Sequence, residues 1–316
     1  MVRSIIIALL ALLLLSGCTD FTASPRFKGD VYAIAGLLVA GKAITAEHPV
    51  YITRSSDIES FDPMDLFVLE ADVEIIELAT GKSWSLSPML DLEEFKVKWI
   101  DLAGNFIQPE YSYRIQVQIP GYDKLISAET TVPPQASVNP DFYGHAAPGE
   151  GYSLSSENMG EVVFEEADLR FPLALNTLNK AGTFNCQIEL YCLEPFSTDL
   201  EFTTPVFGMT HPNAELEDAY NSGGRGFRMI SIMGRFASFI QPEHEDNYIV
   251  LKDYRQAFIF YGRYRARAYI IDDNLYRYNY MPEGYLYGGV QNALGYFGSA
   301  SGGVMYVKVV KAAPAN

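Results

Sequence analysis

Residues 111–134 read YSYRIQVQIPGYDKLISAETTVPP, and the alternation in this stretch decides the fold class. Tyr111, Tyr113, Ile115, Val117 and Ile119 share one side of an extended chain; Ser112, Arg114, Gln116 and Gln118 share the other. Strand side chains alternate with period two, so one face belongs to a core and the other to water. Pro120-Gly121-Tyr122-Asp123 turns the chain, and Ile126, Ala128, Thr130 and Val132 return along the same core.

The pattern extends upstream to Asp30. Val31 to Val39 is apolar on both faces and suits a central strand, Val50 to Thr53 is short, and Val73 to Leu78 precedes the hairpin signal Ala79-Thr80-Gly81-Lys82. About seven such runs in roughly 100 residues suit an immunoglobulin-like or transthyretin-like β-sandwich, placed at 30–134. Pro133-Pro134 stiffens the chain, and Ala136 to Pro140 lacks any apolar period, so a domain boundary is set there.

Residues 135–316 read as a larger strand-rich C-terminal domain. Strands are expected at Glu161 to Phe164, Leu169 to Leu175, Thr183 to Leu193, Phe227 to Phe239, Asn247 to Leu251 and Ala257 to Ile271. Two short helices are expected, Ala214 to Tyr220 behind Asn213 and Asn274 to Tyr280 behind an Asp272 or Asp273 cap. The fold class is mainly β, in keeping with 13% aromatic residues. Glu194 to Arg225 reads as a long acidic loop.

Cys186 and Cys192 lie in TFNCQIELYCLEP, on one face of a strand with Ile188 and Leu190. Six residues of extended chain separate the sulfurs by roughly 20 Å, and a disulfide tolerates Cα atoms no more than about 7 Å apart. Both are expected as buried thiols.

The third cysteine stands in LLLLSGCTDF, residues 12–21. Arg3 supplies a positive start, Ile5 to Leu15 an apolar run of eleven residues, and Ser16-Gly17 the small residues before a cleavage point. Eleven residues fall short of the roughly 20 needed to cross a bilayer as a helix. Residues 1–17 therefore read as a signal peptide. Leu15-Ser16-Gly17-Cys18 resembles the bacterial lipobox, which implies acyl chains on Cys18 and a membrane partner through that anchor. Residues 18–29 read as the lipidated tether. By resemblance to Gram-negative lipoprotein sorting, Thr19 lacks the aspartate that favours inner-membrane retention, so the outer membrane is expected, on either its periplasmic or its cell-surface face.

Cleavage removes Arg3 and leaves 22 basic side chains against 39 acidic ones. Such a balance disfavours nucleic acid, because no basic surplus exists to displace phosphate counterions.

YAIAGLLVAGKAITAEHPVYITRSS, EADVEIIELATGKSWSL, the stretch 111–134 and NALGYFGSAS, taken in order, carry a resemblance. They look like a family of outer-membrane lipoproteins of unknown function, typically encoded beside TonB-dependent receptors in Gram-negative bacteria that feed on polymers. The resemblance implies a two-part, mostly β envelope lipoprotein that works with an outer-membrane receptor. The family has no settled catalytic residues, so none is carried over.

Motifs for chemistry are weak. His48, His145, His211 and His244 have no metal-ligand spacing, and neither a metal nor another cofactor is expected. Glu243, Glu245 and Asp246 beside His244, like Glu215, Glu217 and Asp218, read as solvated acidic turns rather than calcium ligands. GSASGG at 298–303 is no nucleophile elbow and is expected to precede a short final strand. NSGGRGFR at 221–228 lacks the features of a phosphate loop.

One constellation stands out. In FYGRYRARAY, alternation places Tyr261, Arg263, Arg265, Arg267 and Tyr269 on one strand face, with Tyr264, Ala266, Ala268 and Ile270 on the other. Guanidiniums between tyrosines suit acidic ligand groups or a partner's carboxylates, while acidic neighbouring strands would instead neutralise them. Ten of the 21 tyrosines fall between Tyr254 and Tyr296, an inventory suited to sugars, peptides and protein interfaces. Tyr276 and Tyr280 are expected as one packed helical face. The leading expectation is a non-catalytic binding or accessory role, nutrient capture or support of a TonB-dependent receptor. The alternatives are a tethered hydrolase of glycan or peptide, and an adhesive or structural envelope module.

Overall fold

The computed structural model describes residues 31–56, 62–178, 184–221, 228–233, 238–240, 248–251 and 253–313. Residues 1–30, read above as signal peptide and tether with Cys18, residues 241–247 around His244 and most of NSGGRGFR lie outside the described residues. The fold is mainly β, with several sheets and, among the described residues, three short α-helices.

The first half contributes β1 (Tyr32–Val39), β2 (Val50–Arg54), β3 (Asp72–Glu77), β4 (Ser83–Ser85), β5 (Ser87–Asp91), β6 (Lys96–Ile100), β7 (Ser112–Gln118) and β8 (Ile126–Thr131). After the proline pair come β9 (Ser137–Asn139), β10 (Gly160–Val163), α1 (Ala167–Arg170), β11 (Leu173–Asn176), β12 (Asn185–Cys192) and α2 (Glu217–Asn221). The chain ends with β13 (Arg228–Met233), β14 (Ser238–Ile240), β15 (Tyr248–Leu251), β16 (Gly262–Ile271), α3 (Asp273–Tyr280), β17 (Val290–Gln291) and β18 (Leu294–Val310).

A nine-stranded sheet in the order β13-β12-β16-β18-β1-β2-β6-β5, with β10 also on β18, runs through the molecule. Its lower part faces the five-stranded sheet β17-β8-β7-β3-β4. Between them Ile34, Leu38, Ile52 and Trp99 meet Ile75, Tyr113, Ile115 and Val117, all at most 1% exposed. The alternation read in 111–134 thus builds this core, except that Tyr111 is 39% exposed because β7 begins after it. The upper part of the large sheet faces the four-stranded sheet β14-β15-β11-β9 over a second core holding Ile188, Leu190, Ala266, Met305, Leu173 and Leu251. Cys186 and Cys192 sit in this core as buried thiols with no disulfide between them.

β18 joins the two cores. Its first part pairs in parallel with β1, Ala33 opposite Leu294 through Val39 opposite Ala300, and its far part pairs with β16 and β10. GSASGG therefore lies inside a 17-residue strand rather than before a short one. Gly295 makes the parallel pairing possible: its φ is +98°, and a Cβ there would stand 2.0 Å from the Ile34 carbonyl oxygen. Phe297 of β18 is fully buried in the sandwich core, so residues beyond the boundary set at 134 return to complete the first half.

Leu169 to Leu175 departs from the expected strand. Residues 167–170 form α1 and only Leu173–Asn176 is extended. Of the two caps expected for α3 the structure uses Asp272, whose carboxylate accepts the Leu275 amide hydrogen at 3.0 Å.

Candidate functional site

The outer face of the large sheet, opposite the upper core, carries the arginines. On β16, Tyr264, Ala266, Ala268 and Ile270 point into the core, which leaves Arg263, Arg265 and Arg267 on the other side. The register places Tyr191 of β12 and Tyr306 of β18 across from Arg265, and Glu189 and Val304 across from Arg267. Cross-strand neighbours are close enough to interact, and each arginine has a partner.

Arg263 makes a forked ion pair with Glu194, Nε to Oε1 at 2.9 Å and a terminal nitrogen to Oε2 at 3.0 Å. The guanidinium hydrogen bond holds the Glu194 carboxyl below its ordinary range, and the same bond raises Arg263. The Arg265 guanidinium lies 4.8 Å over the Tyr191 ring. Arg267 donates to Glu189 at 3.2 Å, while its buried Nε has no hydrogen-bond partner. Glu189 also accepts from Gln187 at 2.7 Å, and Gln187 in turn accepts from Asn279 of α3 at 3.1 Å. A polar chain thus runs from the helix to the ladder. His48 lies beside it, its imidazole pushed below the ordinary histidine value by burial and then by the Arg267 charge.

Of the two tyrosines expected to flank the ladder, Tyr261 leaves that face and Tyr269 stays on it but is buried. Gly262, at φ +136°, breaks the alternation, and Tyr261 packs against the upper core with its ring 6.1 Å from that of Phe164. Tyr269 keeps its face but is only 5% exposed, packed with Ile271, Leu275 and Ala300 as the floor beneath α3. The aromatic contribution comes instead from Tyr191, from Tyr306 and from α3, where Tyr276 and Tyr280 stack with centroids 5.0 Å apart. Tyr278 of the same helix meets Tyr296 at 4.7 Å. The turn after α3 exposes Met281, Tyr285, Leu286 and Tyr287; the two tyrosines belong to the tyrosine-rich stretch noted in the sequence, while no pattern marked Met281 and Leu286.

A groove of about 680 Å³ lies where the two halves meet, lined by Glu129 to Pro134, Phe184, Asn185 and Ile270 to Asn274 among others. It contains none of the five residues read as a binding surface. Asp272 borders it, with one carboxylate oxygen capping α3 and the other accepting the Thr130 hydroxyl at 2.7 Å. Burial raises this carboxyl above its ordinary value. The folded state then favours the protonated form, so the cost of ionising Asp272 is present above its raised value and is relieved as pH falls through it. Asp272→Asn is expected to keep the cap and flatten that part of the stability–pH curve, measured by urea unfolding between pH 4 and pH 7. Among the described residues, no group of His, Cys, Asp and Glu is arranged to hold a metal ion.

No family model and no curated protein matches the chain. Among solved structures, the chicken CNTN1 FN1-FN3 domains align over 87% of this chain and 68% of that one, at 10% identity and a TM-score of 0.17. That likeness is too slight to carry an argument about either fold or function.

Proposed function

We propose that the chain is a lipid-anchored outer-membrane protein with a non-catalytic role, a binding accessory to an outer-membrane receptor. The observation that carries this reading is the arginine–tyrosine face of β12, β16 and β18 beside α3. Arg263 and Arg267 are already paired with carboxylates and Arg265 lies over the Tyr191 ring, so a partner meets planar, amphipathic groups held in place by these contacts. Rigid tyrosines and forked arginines are the side chains that dominate recognition surfaces. The lipobox around Cys18 supports the anchor, and the acidic surplus supports a partner other than nucleic acid.

A tagged chain purified from membranes in mild detergent is expected to bring a TonB-dependent receptor with it. The double variant Arg265→Ala, Tyr306→Ala is expected to reduce the recovered receptor at least five-fold while its thermal unfolding stays near that of the parent. Equal recovery by parent and variant removes this face from the role; a parent that brings no receptor removes the role itself.

A further inference from the structure

At the pole of the sandwich from which the chain enters, large apolar side chains gather in solvent. Two turns come together at the start of β1. Tyr32 pairs with Arg54, the bridge between Thr53 and Phe67 brings in the 62–69 turn, and the Phe67 and Phe95 rings lie 5.0 Å apart, which brings in the 92–95 turn. These turns, with Val31 just before β1, present large apolar side chains to solvent: Leu92 is 75% exposed, Met64 51%, Val31 47%, and Leu69 and Phe95 45% each. The Leu92 turn is held rigid, since the Asp91 carboxylate accepts the amide hydrogens of Glu93 and Glu94 at 3.0 Å each and binds Lys98 at 2.6 Å.

Exposed leucines and phenylalanines occur elsewhere on this surface, and singly they mean little. This pole differs because the anchoring segment leaves from it. Thirteen residue steps separate Cys18 from Val31, which span at most about 45 Å when extended and about 20 Å as a flexible chain. A tether of that length keeps a bilayer at high effective concentration beside whichever surface carries the tether, so weak apolar contacts suffice to set orientation. Asp62, Asp65, Asp91, Glu93 and Glu94 outnumber Arg54, Lys96 and Lys98, which pair with several of them, so the acidic excess at this pole disfavours anionic lipid. The geometry points to zwitterionic phospholipid as the occupant: we infer that Val31, Met64, Leu69, Leu92 and Phe95 dip into the headgroup boundary of the leaflet that holds the Cys18 lipid. The inference rests on the anchor proposed above. It sets β18 upright, with Val304, opposite Arg267, ten residues beyond Leu294 and so roughly 33 Å farther from the lipid.

The test uses the full lipidated chain in phosphatidylethanolamine–phosphatidylcholine vesicles containing brominated lipid, with a thiol-reactive fluorophore at Leu92→Cys or, as control, at Phe207→Cys. Cys186 and Cys192 are buried, so labelling goes to the introduced thiol. Quenching at position 92 at least two-fold above that at 207, and abolished by adding Met64→Ser and Phe95→Ser in a variant that still unfolds cooperatively, is the expected result. Equal quenching at the two positions on vesicle-bound, lipidated protein overturns the pole and leaves the anchor standing. Mass spectrometry showing an unmodified Cys18 on protein that does not float with vesicles overturns both.

Discussion

Phe297→Ala lowers the stability of the sandwich half by about 3 to 5 kcal/mol, the range for emptying a fully buried aromatic site. The residue is 0% exposed, and it fills space beneath Gly36, where an added Cβ would stand 2.9 Å from its ring. No neighbour can collapse into the hole without moving β1. Both tryptophans, Trp84 and Trp99, belong to or pack on this core, so their fluorescence in a urea titration reports its unfolding. The expected result is a large shift of that transition to lower urea, caused by a residue almost 200 positions from Trp99. An unchanged tryptophan transition would show that the start of β18 is not part of the sandwich.

Gly295→Ala is expected to be about as damaging, for a different reason. A side chain at φ +98° carries backbone strain of about 1 to 3 kcal/mol, and the new Cβ would meet the Ile34 carbonyl at 2.0 Å, where backbone rather than a flexible side chain must yield. The β1–β18 pairing would have to open locally. Gly104→Ala separates the two causes, because Gly104 has φ +70° but nothing within 4 Å of the added atom. The control is expected to lose about 1 kcal/mol. Hydrogen exchange should show Gly295→Ala releasing the amides of β1 and the control leaving them protected.

Local pattern was legible in the sequence, and distant pairing was not. Alternation placed β7, β8 and β12 and kept the two thiols apart and buried, and local capping signals narrowed the start of α3 to Asp272 or Asp273, because each depends on residues within a few positions of one another. The long strand β18 was hidden by its own composition. Gly298, Gly302 and Gly303 are expected before a short final strand, yet they lie within β18, where α3 approaches Gly298, β16 approaches Gly302 and β9 approaches Gly303 too closely for larger side chains. A parallel partner more than 250 residues away leaves no periodic trace at either end. At the candidate site, alternation assigned the three arginines to one face correctly as far as Gly262, whose positive φ ended the pattern and turned Tyr261 inward. Glu189 and Glu194 could be expected as partners in kind but not in position, since the β12–β16 register is a property of the folded sheet.

The parallel pairing of β1 with β18 has a mechanical consequence. Traction applied at the amino-terminal entry and resisted at the far half runs along these strands, so their seven facing pairs are loaded in shear. Bonds arranged across the line of force must fail together, whereas a hairpin pulled from its open end peels one rung at a time. The joint should therefore behave as a clamp, holding load between the two halves at forces that would unzip the peripheral β3–β4 hairpin.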